Sequence, residues 1–261
     1  MEGFVRLGIA AGVFLLMISW EALNPRRTTV TRNRRWPVNL GLAFFNMAMM
    51  RLTVGGLAYL SALDATERSV GLLNLINVPV WVSFLLTLLV LDFAIYCQHI
   101  ITHKWPLLWR LHRVHHSDLE FDATTAVRFH PLEILLSMFY KVAWVYLLGA
   151  VPMAVIVFEI ILNGAATFNH SNINIPVKWD KVLRWFIITP DMHRIHHSTL
   201  RKEIDSNYGF SISLWDRMFK TYTADPEQPQ TTMKIGLPSL RSLQQVGFVK
   251  LLLLPFKSVP R

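Results

Sequence analysis

Apolar runs long enough to cross a membrane dominate this chain and leave it few architectures. They occur at roughly residues 4–23, 38–62 and 78–98, and a longer one covers 132–169. A crossing needs about 20 apolar residues, and in lipid only a helix or a closed barrel satisfies its own backbone. The last run is too long for one span. Gly149 and Pro152 punctuate its middle, so it reads as two helices joined by a tight turn. The expectation is an all-α, polytopic membrane helix bundle of four or five segments, including that hairpin. No small-residue cleavage pattern follows the first run, which reads as an uncleaved helix. No low-complexity linker interrupts residues 1–261, which read as a single membrane-integral domain.

Charge orients the bundle. Arg26, Arg27, Arg32, Arg34 and Arg35 crowd the first loop, whereas the loop near 63–77 holds only Asp64, Glu67 and Arg68. The positive-inside rule puts the first loop in the cytoplasm. Counting crossings then puts residues 99–131 and everything after His170 on the same side. The excess of 26 Lys and Arg over 17 Asp and Glu therefore fits membrane lipids as partners, not nucleic acid. Lys141 and Glu159 fall inside the hairpin at similar depth, where charge is costly and usually paired or functional, so they could pair; snorkelling is the alternative for Lys141. The tail "FVKLLLLPFKSVPR" is too short to span, and together with "VKWDKVLRWFII" it suits the membrane surface.

All ten histidines lie between positions 99 and 197. Two near copies, "HRVHHS" at 112–117 and "HRIHHS" at 193–198, flank the hairpin. Residues i, i+3 and i+4 share one helix face, so His112, His115 and His116 converge, as do His193, His196 and His197. His99 and His103, four apart, make a third group. Imidazole suits Fe, Zn and Cu, and with Cys97 as the lone cysteine, thiolate ligation and an internal disulfide are excluded. Eight or more imidazoles exceed what one ion holds, so a dinuclear centre is expected. His130 and His170 sit beside the boxes as further ligands; the alternative is hydrogen bonding to a carboxylate of the cage. Ligand imidazoles usually donate their outer N–H to a carboxylate or carbonyl. Asp92, Asp118, Asp122, Asp191 and Asp216 lie near the boxes for that role, with helix capping as the alternative for Asp118 and Asp191. Asn174 and Glu159 are candidates from their spacing to His170.

The motifs "HIITH", "HRVHH" and "HRIHH", with "WRLHRVHHSDLEFDATTAVRFHPLE", "NHSN" and "TPDMHRIHHSTLRKEIDSNYGFSISLWDRMF" around them, resemble the fatty acid hydroxylase / sterol desaturase superfamily of membrane di-iron enzymes. The likeness is tight over about 90–220. It implies a cytoplasmic helical cap holding two Fe ions, replaced by Zn when misloaded, that activate O2 against a lipid C–H bond. It implies hydroxylation or desaturation of a sterol, fatty acyl chain or related lipid. Electrons would come from an external donor, a ferredoxin or cytochrome b5-like protein, since the chain carries no flavin, haem or iron–sulfur motif. Two competitors are a polytopic histidine-rich metal carrier, which predicts ligands at the membrane midplane, and a non-catalytic lipid-binding relative, which predicts incomplete boxes. The tail lacks an obvious retrieval signal and the chain is short, which favours a bacterial inner membrane over the endoplasmic reticulum.

Overall fold

The structure is a computed structural model that describes residues 2–259, with side chains from Val5 onward. The ends of the first apolar run and of the tail, Phe4 and Pro260–Arg261, lie outside the described side chains. Thirteen α-helices follow one another among the described residues, with no β-sheet. The first eight are α1 (Glu2–Leu23), α2 (Arg32–Thr53), α3 (Leu57–Glu67), α4 (Leu72–Leu75), α5 (Val80–Lys104), α6 (Pro106–His116), α7 (Pro131–Leu148) and α8 (Pro152–Asn169). The cap adds α9 (Val177–Leu183), α10 (Pro190–His196), α11 (Arg201–Ile204), α12 (Leu214–Met218) and α13 (Phe248–Leu253). Five segments are long and apolar enough to cross a membrane: Val5–Leu23, Arg32–Leu75, Val80–Lys104, Pro131–Leu148 and Pro152–Asn169. The chain is an integral, multi-pass membrane protein.

The hairpin forms where glycine and proline predict it. Gly149 ends α7 in the left-handed region at φ 67°, and Pro152 opens α8 at a position where its missing N–H costs nothing. Gly71, at φ 97°, abuts this turn so closely that a Cβ there would sit 2.1 Å from the Gly149 nitrogen. The second apolar run departs from expectation. Residues 38–62 are not one helix: α2 ends at Thr53, Gly56 turns left-handed at φ 75°, and α3 begins at Leu57. The Gly55–Gly56 pair supplies the break, because only glycine reaches that backbone region without cost. At its other end α2 extends back over the arginines to Arg32.

Ala58, Ala62, Leu91, Val145, Val155 and Phe158 form the core between spans. Small residues on α3 let its backbone approach α7 and α8 closely, the usual basis of helix packing in lipid. Lys141 Nζ donates to Glu159 Oε1 at 2.8 Å, and Arg6 of α1 binds the other carboxylate oxygen. The expected intramembrane pair is thus a triad tying α1, α7 and α8.

The first loop is bolted to the cap. Arg35, only 2% exposed, donates from Nε and Nη2 to the two oxygens of Asp118, both at 2.6 Å, and from Nη1 to Asp122 at 2.7 Å. Burial works against the charge on Asp118, yet Arg35 and Arg128 overcome it and hold the carboxyl below its usual range. Arg26 pairs with Asp191 at 2.8 Å, and Arg27 donates to the Met233 carbonyl at 2.8 Å. The arginine loop and both histidine boxes therefore share one side of the bundle. Replacing Arg35 with Met strands two buried carboxylates, so the detergent-solubilised protein should lose about 3–5 kcal/mol of stability. A thermal unfolding midpoint close to that of the wild type would refute the assignment.

Candidate metal centre

Four structural units carry nine of the histidines to one place. The last two turns of α5 present His99 and His103, α6 presents His112, His115 and His116, and α10 with its C-cap presents His193, His196 and His197. The end of α8 adds His170. Short helices suffice because each starts with a proline that fixes the first turn, Pro106 for α6 and Pro190 for α10. Thr189 also caps α10 by accepting from the Met192 N–H. The hairpin of α7 and α8 returns the chain so that the two HRxHHS copies face each other.

The side chains form two groups that could each hold a metal ion. One is His99, His103, His112, His116 and His196; the other is His115, His170, His193 and His197. Within each group the nitrogens lie within 4.8 Å of one another, and all nine residues are buried. The groups adjoin, with His116 stacked on His197 at a ring separation of 4.4 Å.

Outer hydrogen bonds define the state of the inner nitrogens. His99 Nδ1 donates to the Tyr208 carbonyl at 2.7 Å, His196 Nδ1 to the Ser206 carbonyl at 2.7 Å, and His170 Nδ1 to the Ala166 carbonyl at 2.8 Å. His112 Nδ1 donates to Glu133 Oε1 at 2.6 Å. A neutral imidazole carries one N–H, so in these four rings Nε2 is a bare lone pair pointing inward. The buried Nε2 atoms of His99, His112 and His196 have no hydrogen-bond partner, which is costly unless something else occupies them. Nε2–Nε2 separations of 3.1 Å for His103–His116, 3.0 Å for His115–His170 and 3.1 Å for His170–His193 follow the same logic. Two ligands each about 2.1 Å from one ion at a right angle stand about 3 Å apart. The residues fit a pair of imidazole-bound first-row metal ions.

Burial, followed by repulsion from neighbouring imidazolium charge, drives the pKa values of His115, His116, His193 and His197 well below the ordinary histidine range. Burial pushes His170 down to about 4 and His196 to about 3, against hydrogen bonds that favour the proton. These six rings are neutral at physiological pH, the form that binds metal.

His130 is not brought into either group. Its Nδ1 accepts from the Leu132 N–H at the start of α7, and its Nε2 lies 3.2 Å from the Leu252 carbonyl. The following proline and the tail hold it there. The seven supporting candidates also make their hydrogen bonds elsewhere. Asp92 accepts from Trp215 Nε1, Asp118 and Asp122 from Arg35, and Asn174 from Arg26. Asp191 binds Arg194, Asp216 accepts the Tyr208 and Gly209 N–H groups, and Glu159 binds Lys141. The carboxylates that reach box imidazoles are Glu133 on His112 and Asp205, 3.6 Å from His103 Nδ1. Glu133 carried a signal, since it lies three residues after His130 in the first turn of α7. Asp205 carried none beyond its proximity to the second box.

Fold and site together define an integral membrane protein with a buried histidine cluster, able to hold metal, where its spans meet a polar cap. The sequence model of the fatty acid hydroxylase family matches residues 84–221, a stretch that contains every histidine. The chain belongs to that family. It is 33% identical over 145 residues to an alkylglycerol monooxygenase of Xenopus tropicalis, covering 55% of this chain and 31% of that protein. It is 30% identical over 159 residues to the ornithine lipid hydroxylase OlsE of Rhizobium tropici, covering 59% and 45%. A cholesterol 25-hydroxylase of Rattus norvegicus is 27% identical over 145 residues, covering 54% and 47%. The match thus spans less than half the length of each of these relatives. No solved structure gives a significant match.

Two outcomes test the site. His170→Ala should lower the metal content of purified protein and His130→Ala should leave it unchanged, while Glu133→Gln should weaken metal binding roughly 10–100-fold. Elemental analysis and metal titration decide this; equal effects at His130 and His170 would refute the grouping. The second concerns pH. Unfolded histidine titrates near 6.5, well above the folded values, so the unfolded state binds more protons below that point. The metal-free protein should therefore keep its full stability above about pH 6.5 and lose it steadily as pH falls toward 4. Denaturation midpoints measured across this window should slope upward with pH, and a flat profile would contradict the buried neutral cluster.

Proposed function

We propose that the protein is a membrane-bound, O2-dependent di-iron oxygenase that hydroxylates a C–H bond of a lipid. The observation that carries this reading is the pair of buried imidazole groups with inward lone pairs, lying at the cap end of α5 and α8. The names of the similar proteins, three lipid or sterol oxygenases, support hydroxylation ahead of desaturation. A metal carrier would need its ligands at mid-membrane, whereas these occupy helix ends.

When bound, two irons supply the O2-derived oxidising power that no side chain possesses. His99, His103, His112, His116 and His196 would hold one ion, and His115, His170, His193 and His197 the other. Glu133 and the carbonyls of Ala166, Ser206 and Tyr208 fix the ring orientations through the outer nitrogens. Trp109, Phe121 and Tyr208, all buried against the imidazoles, exclude water from the site, which protects a strong oxidant from side reactions. By the positive-inside rule the arginine-rich first loop supports a cytoplasmic face for the boxes, and a bacterial inner membrane suits this arrangement. An external ferredoxin or cytochrome b5-like protein would deliver electrons from that side.

The test is mass spectrometry of lipids from cells expressing the protein under isotopically labelled O2. One labelled oxygen per product lipid, absent from cells expressing a His112→Ala variant, is expected. Unlabelled product, or an unchanged lipid profile across hosts rich in different lipid classes, would overturn the proposal.

A further inference from the structure

Five aromatic side chains other than histidine ring the metal centre, and two differ from the rest. Trp109, Phe121 and Tyr208 are buried, whereas Phe129 and Phe210 are half-buried. Each of these two phenylalanines touches one imidazole from each metal group. Phe129 stacks on His115 at a ring separation of 4.3 Å and lies 6.3 Å from His112. Phe210 lies 5.6 Å from His99 and 6.2 Å from His193. His99 and His112 are themselves neighbours at 5.0 Å. The two phenylalanines therefore flank one seam between the groups.

That seam faces the spans. Phe210 packs against the core shared by Leu91, Ile95 and Phe158, one to two turns below His99 on α5 and opposite on α8. The Phe129 carbonyl accepts from Asn46 Nδ2 of α2 at 2.9 Å. Both rings are also held by rigid backbone. The Asp216 carboxylate accepts the consecutive N–H groups of Tyr208 and Gly209, each at 2.8 Å, and Asn169 Nδ2 donates to the Phe210 carbonyl at 2.8 Å. Gly209 is required for this turn: a Cβ there would sit 2.6 Å from Ile188 and 2.8 Å from the Asp216 carboxylate. A loop built this firmly fixes where the Phe210 ring stands.

We propose that Phe129 and Phe210 are the specificity-determining residues of the centre, an aromatic gate between which the alkyl portion of a lipid enters from the bilayer to meet both metal groups. The inference rests on the oxygenase reading and adds the two residues that would position the lipid's hydrocarbon chain on the membrane side. Partial exposure gives the chain its way in, and apolar ring faces suit a chain because they offer dispersion contacts without polar groups to desolvate. The separation of two fixed rings determines which carbon halts at the seam.

The test has two arms. In the first, Phe210→Cys and Phe129→Cys are made in a Cys97→Ser background, reconstituted in bilayers and exposed to a long-chain alkyl maleimide or a charged aqueous maleimide. Since each CH2 contributes about 0.8 kcal/mol to partitioning, the alkyl reagent should react at least about tenfold faster, and hexadecanol should slow it. Faster aqueous labelling, no labelling by either reagent, or no protection overturns the gate without reference to activity. In the second arm, Phe210→Ala and Phe129→Ala retain the wild-type metal content but spread the inserted oxygen over neighbouring chain carbons, with Phe210→Leu intermediate. An unchanged product distribution overturns the gate. If the wild type yields no oxygenated lipid, the oxygenase reading fails, while the labelling arm still decides whether a chain enters here.

Discussion

Nine buried imidazoles packed around two points are the constraint on which the rest of this molecule depends. Each ring is buried, and at least four donate from Nδ1 outward, so that their Nε2 atoms face inward, where the nitrogens of each group lie within 4.8 Å of one another. Without a cation this packing is among the least favourable in the chain, because buried acceptors without donors carry their full desolvation penalty. Every surrounding feature holds rings in place against that tendency to relax. The carbonyls of Ala166, Ser206 and Tyr208 each anchor one ring. Glu133 reaches across from α7 to His112. The proline-started helices α6 and α10 are stiff over their first turn.

The same demand explains why the first loop is so basic. Positive charge near a membrane segment commonly needs no account beyond topology, but here the arginines also reach inward. Arg35 carries three carboxylates on a single guanidinium, Asp118, Glu120 and Asp122, directly after the first HRxHHS box. Arg128 donates to Asn39 Oδ1 at 2.7 Å and to Ser117 Oγ at 2.9 Å, lacing α2 to the end of α6. Glu21, at the cap end of α1, accepts the N–H groups of Ala123 and Asn172. Because these contacts join α1 and α2 to the segments after both α6 and α8, spans and cap behave as one body. Loosening the loop would move both boxes relative to each other.

What could be read from the sequence divides along physical lines. Helical spacing within a box is local, so the convergence of His112, His115 and His116, or of His193, His196 and His197, was legible from i, i+3 and i+4 alone. The hairpin was legible because glycine and proline act on their own backbone. The break at Gly55–Gly56 obeys the same rule, yet the apolar residues on both sides make 38–62 look like one continuous run. Partners of the imidazoles were not legible, because a ring is met in space by whatever the fold brings, and three of the four outer acceptors named above are backbone carbonyls with no sequence signature. Asp118, Asp122 and Asp191 are drawn instead to arginines, Asp216 to backbone N–H groups and Asp92 to the Trp215 indole. His130 shows the limit of adjacency: one residue before Pro131, it is turned away to start α7 and meet the tail.

The position of the centre also reconciles two needs that pull in opposite directions. In the proposed oxygenase a lipid chain would arrive through hydrocarbon, and electrons from another protein through water. A site at mid-membrane would satisfy the first alone, and one on the cap surface the second alone. Here His99 and His103 end the span α5, and His170 follows directly on the span α8, so the metal groups lie at the boundary. On one side Phe210 leans on Leu91, Ile95 and Phe158 of the spans. On the other, Asp205 sits between His103 Nδ1 and the exposed cations Lys104 and Arg201. The boxes fall at helix ends because only there can one set of imidazoles face hydrocarbon and a polar surface at once.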